Sequence, residues 1–329
     1  MKIDLTAADV LVRDGKHNAF PSLCSFDGKL FMAFRRASAH RLRDGVIAIY
    51  SSIDEGRSFQ LATVLSGHGD MRDPRLCVVN GKLAVYIGCS YEQADGSVEH
   101  GICAYESANG VDFTEFAVNG FSENSFIWGC IPYRDGYVAT SYRRTADDFE
   151  SSLYFSCDGK NWQLYMVLPV PANETSLCVD DTGELYGIGR NEFGDMTPVF
   201  FHITGDDCFE YTRLSVAMHG VMLKNAGGKF IVAARCWDWR NENDFTAGRQ
   251  NVRTDLYTLE YSGSLNKVAT LPSGGDCSYA SSVKVAENEL YMIYYSQHNY
   301  TEFLQKLHPA QPLVTPLPCD IYAIRLRWS

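Results

Sequence analysis

The sequence lacks the features that mark several classes of protein. Its 329 residues include 29 Lys and Arg against 40 Asp and Glu, so the formal net charge is −11. Nucleic-acid grooves and anionic membrane surfaces need clustered basic residues, and this balance argues against both as partners. No stretch approaches the ~20 apolar residues that cross a bilayer, and the N-terminal segment lacks the apolar core of a secretory signal. We therefore expect a cytoplasmic protein, or a phage-borne one released by lysis.

The cysteines have none of the spacings that indicate a metal or redox motif. There are 11 of them, scattered along the chain, and no two form a CxxC pair. This argues against a zinc ribbon or a thioredoxin-like motif. Most of them lie inside apolar runs, where cysteine behaves as a small buried hydrophobic residue. The sequence thus predicts free thiols, and it gives no reason to expect a metal or a cofactor.

What the sequence does contain is a repeated turn followed by an apolar run. In each copy a polar residue and, in most, a glycine precede the run, which is the strongest short-range signal of a β-hairpin. The six copies are Asp27–Phe31, Asn80–Ala84, Asp135–Val138, Thr182–Tyr186, Gly227–Ile231 and Glu287–Tyr291. They recur roughly every 45–60 residues, with no long amphipathic helical window between them. The pattern predicts an all-β fold, a six-bladed β-propeller of four-stranded antiparallel blades occupying residues 1–329 as one domain.

A second repeat has the same period. Ser52–Phe59 and Ser156–Trp162 share a Ser-x-Asp turn that ends in an aromatic residue, and Ser107–Phe113 is a weaker copy with Asn in place of Asp. The acidic or amide side chain can accept hydrogen bonds from the N–H groups of a tight turn, while the aromatic side chain fills the blade. We expect a structural role for these turns. Ring closure should also place Val10–Val12 beside the C-terminal run from Ile321 to Leu326, since an open ring would leave unpaired strand edges.

Blade topology predicts which residues surround the axis. Each first strand begins on one face of the disc, and the second strand returns to that face. Residues that begin first strands are His17, Asp73, Trp128, Glu174, His219 and Tyr279. Residues that end second strands are Arg35, Tyr91, Tyr142, Arg190, Arg235 and Tyr295. A ring of Arg, Tyr, His and carboxylate side chains around a cleft suits an acidic sugar, and the turns of the second repeat should lie on the opposite face.

These motifs resemble a known superfamily. The Ser-x-Asp turns look like the Asp boxes (BNR repeats) of sialidase-like propellers. The segments His17–Leu23 and Phe34–His40 resemble the first blade of the ulvan-lyase-like branch of polysaccharide lyases. Arg72–Leu76, Asn173–Leu177, Arg190 and Ser273–Tyr279 continue the likeness, which covers most of the chain. Those lyases have seven blades, so a six-bladed chain is a departure from their pattern.

The same positions depart from true sialidases at one essential point. In sialidases a first-blade arginine belongs to a triad that binds the substrate carboxylate, and here the matching stretch is Asn18–Pro21, without arginine. His40 or Asp44 is the counterpart of the sialidase acid/base residue. Tyr279 and Glu174 match the nucleophilic tyrosine and its glutamate. Because the arginine is missing, the resemblance argues against plain sialidase activity.

The first functional expectation is a carbohydrate-active enzyme that cleaves a uronate-containing glycan by β-elimination. Such a lyase neutralises a carboxylate, abstracts the proton at C5 and protonates the leaving oxygen. Arg190 and Arg235 would bind the carboxylate, His17 and His40 would act as base or neutraliser, and Tyr142 would act as acid. The remaining predicted substrate-binding residues are Arg35, Asp73, Tyr91, Glu174 and Tyr279. Two alternatives stay open: a glycoside hydrolase using two of Asp44, Asp73 and Glu174, or a glycan-binding propeller without catalysis.

Overall fold

The computed structural model describes residues 1–204, 208–239, 249–307 and 314–329, and these form six antiparallel sheets. The N-terminal strands are β1 (Ile3–Leu5) and β2 (Asp9–Val12). Blade 1 contains β3 (His17–Phe26), β4 (Lys29–Ala37), β5 (Val46–Ser52) and β6 (Gln60–Leu65). Blade 2 contains β7 (Asp70–Val79), β8 (Lys82–Glu92), β9 (Val98–Ser107) and β10 (Thr114–Phe116). Blade 3 contains β11 (Phe126–Tyr133), β12 (Gly136–Arg144), β13 (Phe149–Ser156) and β14 (Gln163–Val167).

The second half of the chain repeats this arrangement. Blade 4 contains β15 (Asn173–Val179), β16 (Leu185–Arg190), β17 (Val199–Ile203) and β18 (Phe209–Arg213). Blade 5 contains β19 (His219–Asn225), β20 (Phe230–Trp239), β21 (Arg249–Leu259) and β22 (Leu265–Leu271). Blade 6 contains β23 (Cys277–Ala286), β24 (Glu289–Ser296) and β25 (Asp320–Trp328). A 3₁₀ turn (His298–Tyr300) and the helix α1 (Thr301–Lys306) join β24 to β25.

The chain termini close the ring in blade 6. Strands β1 and β2 both pair antiparallel with β25, so that Val10 lies opposite Tyr322 and Val12 opposite Ile321. The first strands of successive blades contact one another around the axis, and the contact of β23 with β3 completes the circle. The prediction of a six-bladed propeller with antiparallel four-stranded blades is confirmed, as is the pairing of the two terminal runs. No helix among the described residues is long and apolar enough to span a membrane.

Both sequence repeats form the turns that they predict. Each hairpin motif connects the first and second strands of a blade. The three Ser-containing turns follow the third strands of blades 1, 2 and 3. In blade 3, Asp158 Oδ1 accepts hydrogen bonds from the backbone N–H groups of Lys160 and Asn161, both at 2.8 Å, while Ser156 Oγ accepts one from Gly159 N–H at 2.9 Å. By the strand order, these turns lie on the face opposite to the starts of the first strands.

The core consists of layers between blades. Six clusters of buried apolar side chains in the described part of the chain correspond to the six interfaces between neighbouring blades. Between blades 1 and 2, for example, Ile47 and Ile49 of β5 belong to the same cluster as Val85 and Ile87 of β8. Strands that are buried on both faces read as continuous apolar runs, which explains the apolar β4, β8 and β24. Packing of each blade against two neighbours fixes the geometry of the axis.

Candidate functional site

A cavity of about 500 Å³ lies at the axis, on the face where the first strands begin. All six blades contribute to its wall. The lining residues include Phe20 and His40 of blade 1, Asp70, Arg72, Asp73 and His100 of blade 2, Phe126 and Tyr142 of blade 3, Glu174, Arg190 and Glu192 of blade 4, His219 and Arg235 of blade 5, and Asp276 and Tyr279 of blade 6. Mixed acidic, basic and aromatic side chains around a concave site are typical of a binding pocket for a polar ligand.

A β-bulge interrupts each first strand, and in four blades a side chain at the bulge lines the cavity. The strand pairing shifts register between Arg72 and Arg75, and the five other first strands break at the equivalent point. Residues at these bulges have positive φ angles: Phe20 (57°), Asp73 (49°), Glu174 (29°) and Tyr279 (49°). A positive φ at a residue other than glycine costs on the order of 1–3 kcal/mol. Four such residues in one cavity wall therefore mark the bulges as a built feature of the site.

Blade 5 has a glycine at the equivalent position, and the reason is steric. Gly220 has a φ of 56°, and a Cβ atom there would lie 2.5 Å from the ring of Tyr279. The absence of a side chain lets the Tyr279 ring pack directly against the backbone of β19. This contact, with the edge-to-face packing of Phe20 at 5.0 Å, holds the Tyr279 ring in place.

Tyr279 and Glu174 form a pair in the wall of the cavity. The Tyr279 hydroxyl lies 3.1 and 3.0 Å from the two carboxylate oxygens of Glu174. Glu174 also forms an ion pair with Arg190, whose guanidinium reaches Glu192 at 3.1 Å as well. Burial, and then the charge of Glu174, raises the pKa of Tyr279. The phenol is therefore neutral at physiological pH and needs a base before it can act as a nucleophile.

Asp73 is a second carboxyl group of unusual character in the same wall. Burial raises its pKa to about 6; the Arg75 guanidinium opposes this change and the charge of Glu174 adds to it. Its Oδ1 is buried and has no hydrogen-bond partner within the protein. A carboxyl group that is protonated near pH 6 can donate a proton to a leaving group and later accept one from water.

Asp276 is the centre of a hydrogen-bond cluster in the part of the cavity wall that blades 1, 5 and 6 form. Its Oδ2 accepts hydrogen bonds from His17 Nε2 at 3.0 Å and from His40 Nδ1 at 2.6 Å. Its Oδ1 accepts from Arg235 Nη2 and from the Tyr295 hydroxyl, both at 2.7 Å. Although burial acts in the other direction, the nearby charges and the donated hydrogen bonds hold the pKa of Asp276 well below its usual range. Asp276 thus remains a carboxylate that orients two histidines.

His40 is the histidine of this cluster that reaches the cavity. Burial lowers its pKa, although the charge of Asp276 acts in the opposite direction. Since Nδ1 donates to Asp276, the other ring nitrogen, Nε2, carries the lone pair in the neutral imidazole. His17 is completely buried behind it and does not line the cavity. His40 has the tautomer and the location of a general base, and His17 supports Asp276 from behind.

Four of the five arginines of the cavity wall are paired with carboxylates of the protein, whereas Arg41 is exposed and forms no ion pair with another described residue. Arg190 contacts Glu174 and Glu192, and Arg235 contacts Asp276. Arg72 pairs with Asp70 at 2.6 Å and also donates to the backbone carbonyl of His40 at 2.8 Å. These arginines carry partners in the protein itself, so an anionic substrate would have to share them.

The structure brings most of the predicted site residues together. Seven of them line the cavity: His40, Asp73, Tyr142, Glu174, Arg190, Arg235 and Tyr279. Three do not. His17 lies behind the wall, Arg35 is fully buried with its guanidinium bonded to Asp70, and Tyr91 lies at the outer end of β8, where its hydroxyl contacts His68. Asp44, the alternative to His40, is exposed in a loop where it accepts hydrogen bonds from Ser38. The catalytic or binding roles assigned from sequence stay predictions.

Sequence reasoning missed Asp276, Asp70 and Arg72 as site residues. Asp276 lies directly before β23 and lines the cavity, yet the topological rule selected only residues that begin first strands or end second strands. The sequence did contain a signal for Asp276, because a carboxylate directly before a buried strand needs a charged or hydrogen-bonding partner nearby. Asp70 and Arg72 lie at the start of β7, before its bulge, and the topological rule selected Asp73 in that strand instead.

One group of side chains in the described part of the chain could ligate a metal ion. His17, His40 and Asp276 each offer one atom, and these atoms lie within 4.8 Å of one another. The same atoms are joined by hydrogen bonds, so each of them has a partner without an ion, and His17 Nδ1 is the buried ring nitrogen of this group that has none among the described residues. We therefore treat it as a hydrogen-bonded Asp–His cluster.

Comparison with solved structures identifies the fold. A protein of unknown function from Dyadobacter fermentans matches with a TM-score of 0.76 at 15% identity, covering 99% of both chains. The phage phi92 endosialidase matches with a TM-score of 0.64 at 11% identity over 100% of this chain and 69% of its own. A mutant Trypanosoma rangeli sialidase displaying trans-sialidase activity matches with a TM-score of 0.62 at 13% identity, and this chain spans 54% of its length.

Comparison of the sequence with known families and proteins identifies no relative. No family model matches the sequence, and no curated protein matches it. At these identities the structural similarity shows the fold alone. The chain has the sialidase-like six-bladed propeller fold, while the ulvan-lyase-like branch stays a prediction from the motifs.

Proposed function

We propose that the protein is a carbohydrate-active enzyme, and that it hydrolyses a glycosidic bond with Tyr279 as nucleophile. The observation that carries this proposal is the contact of the Tyr279 hydroxyl with both carboxylate oxygens of Glu174, beside the carboxyl group of Asp73. A buried phenol next to a carboxylate base and a nearby acid is the set of groups that a two-step displacement needs. The fold shared with a sialidase and an endosialidase supports a glycan as substrate.

In the first step, the Tyr279 oxygen attacks the anomeric carbon and its proton moves to Glu174. The glycosidic bond breaks, and protonated Asp73 gives its proton to the leaving oxygen. In the second step, the Asp73 carboxylate takes a proton from water, which attacks the anomeric carbon. The bond to Tyr279 breaks, Glu174 returns the proton to the phenolate, and the anomeric configuration is retained. Removal of the Tyr279 proton by Glu174 is needed because the phenol is neutral at working pH.

The lyase mechanism expected from the sequence is the second candidate, and His40 is the observation that favours it. His40 lines the cavity, Asp276 fixes its Nδ1–H, and its lowered pKa leaves it in the basic form at neutral pH. β-Elimination also needs a cation at the substrate carboxylate. Arg72, Arg190 and Arg235 are shared with protein carboxylates, so Arg41, which lines the cavity and forms no ion pair with another described residue, is the candidate cation for this role. Hydrolysis stays the first candidate because of the contact between the Tyr279 hydroxyl and Glu174.

The two mechanisms leave different products, so one assay separates them. We would incubate the protein with a panel of polysaccharides: polygalacturonate, alginate, hyaluronan, ulvan, xylan, arabinan and polysialic acid. New reducing ends without ultraviolet absorbance indicate hydrolysis. New ultraviolet absorbance indicates elimination, because the unsaturated uronate that elimination leaves absorbs there.

Two variants then identify the reacting group. If the product of the wild-type protein does not absorb and Tyr279→Phe is inactive, the result supports hydrolysis. An absorbing product that disappears in His40→Ala and persists in Tyr279→Phe would overturn hydrolysis in favour of elimination. His202→Ala, a change in the third strand of blade 4 outside the cavity wall, is the control for loss of a histidine. Binding of a glycan without any product would indicate a non-catalytic propeller.

A further inference from the structure

A row of aromatic rings leads from the cavity to the surface across blades 3 and 4. Phe126 and Tyr142 line the cavity, and their ring planes are nearly parallel with centroids 5.8 Å apart. The Tyr142 ring packs edge-to-face on Phe149 at 6.1 Å. Phe149 in turn stacks on Phe193 at 6.1 Å with an interplanar angle of 22°. The row is thus continuous from the wall of the site to the rim of the disc.

The outer end of the row is exposed to solvent. Phe193 is 41% exposed, although it follows Asn191 and Glu192 in a polar loop between β16 and β17. Phe126, Tyr142 and Phe149 are each half-buried. Exposed apolar surface that is continuous with a binding cavity and rimmed by polar groups is a mark of an interaction site.

Polar groups flank the row on both sides. Glu192, next to Phe193, lines the cavity and contacts Arg190 at 3.1 Å. The guanidinium of Arg144 lies 5.8 Å from the centroid of the Phe149 ring, and Arg143 pairs with Glu150 at 2.8 Å beside it. An aromatic floor with charged edges matches the chemistry of a pyranose, whose C–H face is apolar and whose hydroxyl groups form hydrogen bonds around the ring edge.

We propose that the row Phe126–Tyr142–Phe149–Phe193 binds the sugar units that precede or follow the one at Tyr279, so that the substrate is a glycan chain of several units. The occupant is an extension of the same chain, because the row is continuous with the cavity wall. This inference rests on the proposed function, since it takes the cavity to hold the reacting sugar.

The test measures glycan binding and does not need turnover. Tyr279→Phe protein would be run by affinity electrophoresis in gels containing each polysaccharide of the panel above, with and without a second change. Phe193→Ala and Phe149→Ala remove the outer rings of the row. Tyr211→Ala is the matched control, because Tyr211 is an exposed aromatic residue (56%) on β18 of blade 4 and lies outside the row.

We expect Phe193→Ala and Phe149→Ala to weaken binding of the retained polymer by about tenfold, and Tyr211→Ala to leave it unchanged. Oligosaccharides of four or more units should compete with the polymer far better than the monosaccharide. Binding that is unaffected by both row variants, or equal competition by the monosaccharide, would overturn the inference and leave the proposed function standing. If no polymer retards Tyr279→Phe or the wild-type protein, the proposed function and this inference both fall.

Discussion

The Tyr279 hydroxyl donates to Glu174, which lies 105 residues earlier in the chain and two blades away around the ring. The two residues occupy equivalent positions in their blades, since each lies at the bulge of a first strand and has a positive φ. The repeated bulge therefore places a potential nucleophile and its base within hydrogen-bond distance of each other in one cavity. The same device places Asp73 in the wall from blade 2.

Removal of the Tyr279 hydroxyl tests its role as nucleophile. Tyr279→Phe should reduce turnover of a cleaved polysaccharide by at least about 10³-fold, because phenylalanine keeps the ring and lacks the attacking oxygen. Tyr294→Phe is the control, because Tyr294 is a buried tyrosine of the same blade whose hydroxyl donates to the Pro272 carbonyl outside the cavity wall. Turnover and the thermal midpoint would be measured together. Equal turnover in the two variants would exclude Tyr279 as the nucleophile.

Asp73 should destabilise the folded protein as pH rises. Because its pKa is raised from 3.8 to about 6, the folded state binds the proton more tightly than the unfolded chain between these values. The free energy of unfolding therefore falls across this window, by about 3 kcal/mol at most. Asp73→Asn should be more stable than the wild type at pH 8 and similar to it at pH 4, as measured by urea denaturation. Asp158→Asn should show the opposite trend, because backbone N–H donors lower the pKa of Asp158.

Turnover should depend on the protonation of Asp73. If its carboxyl group protonates the leaving oxygen, kcat/KM must decrease as pH rises through about 6, by roughly tenfold per pH unit well above the pKa. The rate would be recorded from pH 4 to pH 9 on whichever polysaccharide is cleaved. A profile that increases with pH in the acidic range and remains level to pH 8 would instead match a histidine base whose pKa is lowered, and would favour His40.

The turn at Asp158 should matter for stability and leave catalysis unchanged. Asp158→Ala removes hydrogen bonds to the N–H groups of Lys160 and Asn161 and to the Ser156 hydroxyl, which should cost about 1–3 kcal/mol. Since this turn lies on the face opposite to the cavity, turnover per folded molecule should be unchanged. Loss of turnover in protein that retains the wild-type near-ultraviolet spectrum would indicate that the functional site lies on the face of the Asp158 turn, opposite to the cavity.

All 11 cysteines are free thiols in the structure, and nine of them are buried or half-buried. Under denaturing, non-reducing conditions a thiol reagent should count all 11. In the native protein only Cys157 and Cys208, which are exposed, should react rapidly. Cys89 and Cys103, whose sulfur atoms are 2.8 Å apart on adjacent strands, are the pair that an oxidant would join first. A denatured count of nine would show that one disulfide had formed, and peptide mapping would test whether it joins Cys89 to Cys103.

The sequence by itself determined the local elements and their number. Polar turn residues, glycines and alternating apolar runs specify hairpins through short-range backbone preferences, and their period specifies how many blades the chain can form. Because strand direction alternates along the chain, the sequence also predicted which ends of the strands meet at the axis. Asp73, Glu174 and Tyr279 were selected in this way, whereas His40, in the loop after β4, was selected through the family resemblance.

Only the tertiary structure decided how far each side chain reaches and which charges become partners. The rule of strand ends could not tell that His17 and Arg35 are enclosed behind the wall, because that depends on the bulge and on packing between blades. Nor could it pair Arg235 with Asp276 or Arg190 with Glu174, since these contacts join residues brought together by ring closure. Short-range preferences specify each blade separately, whereas the pairing of charges at the axis depends on the simultaneous position of all six.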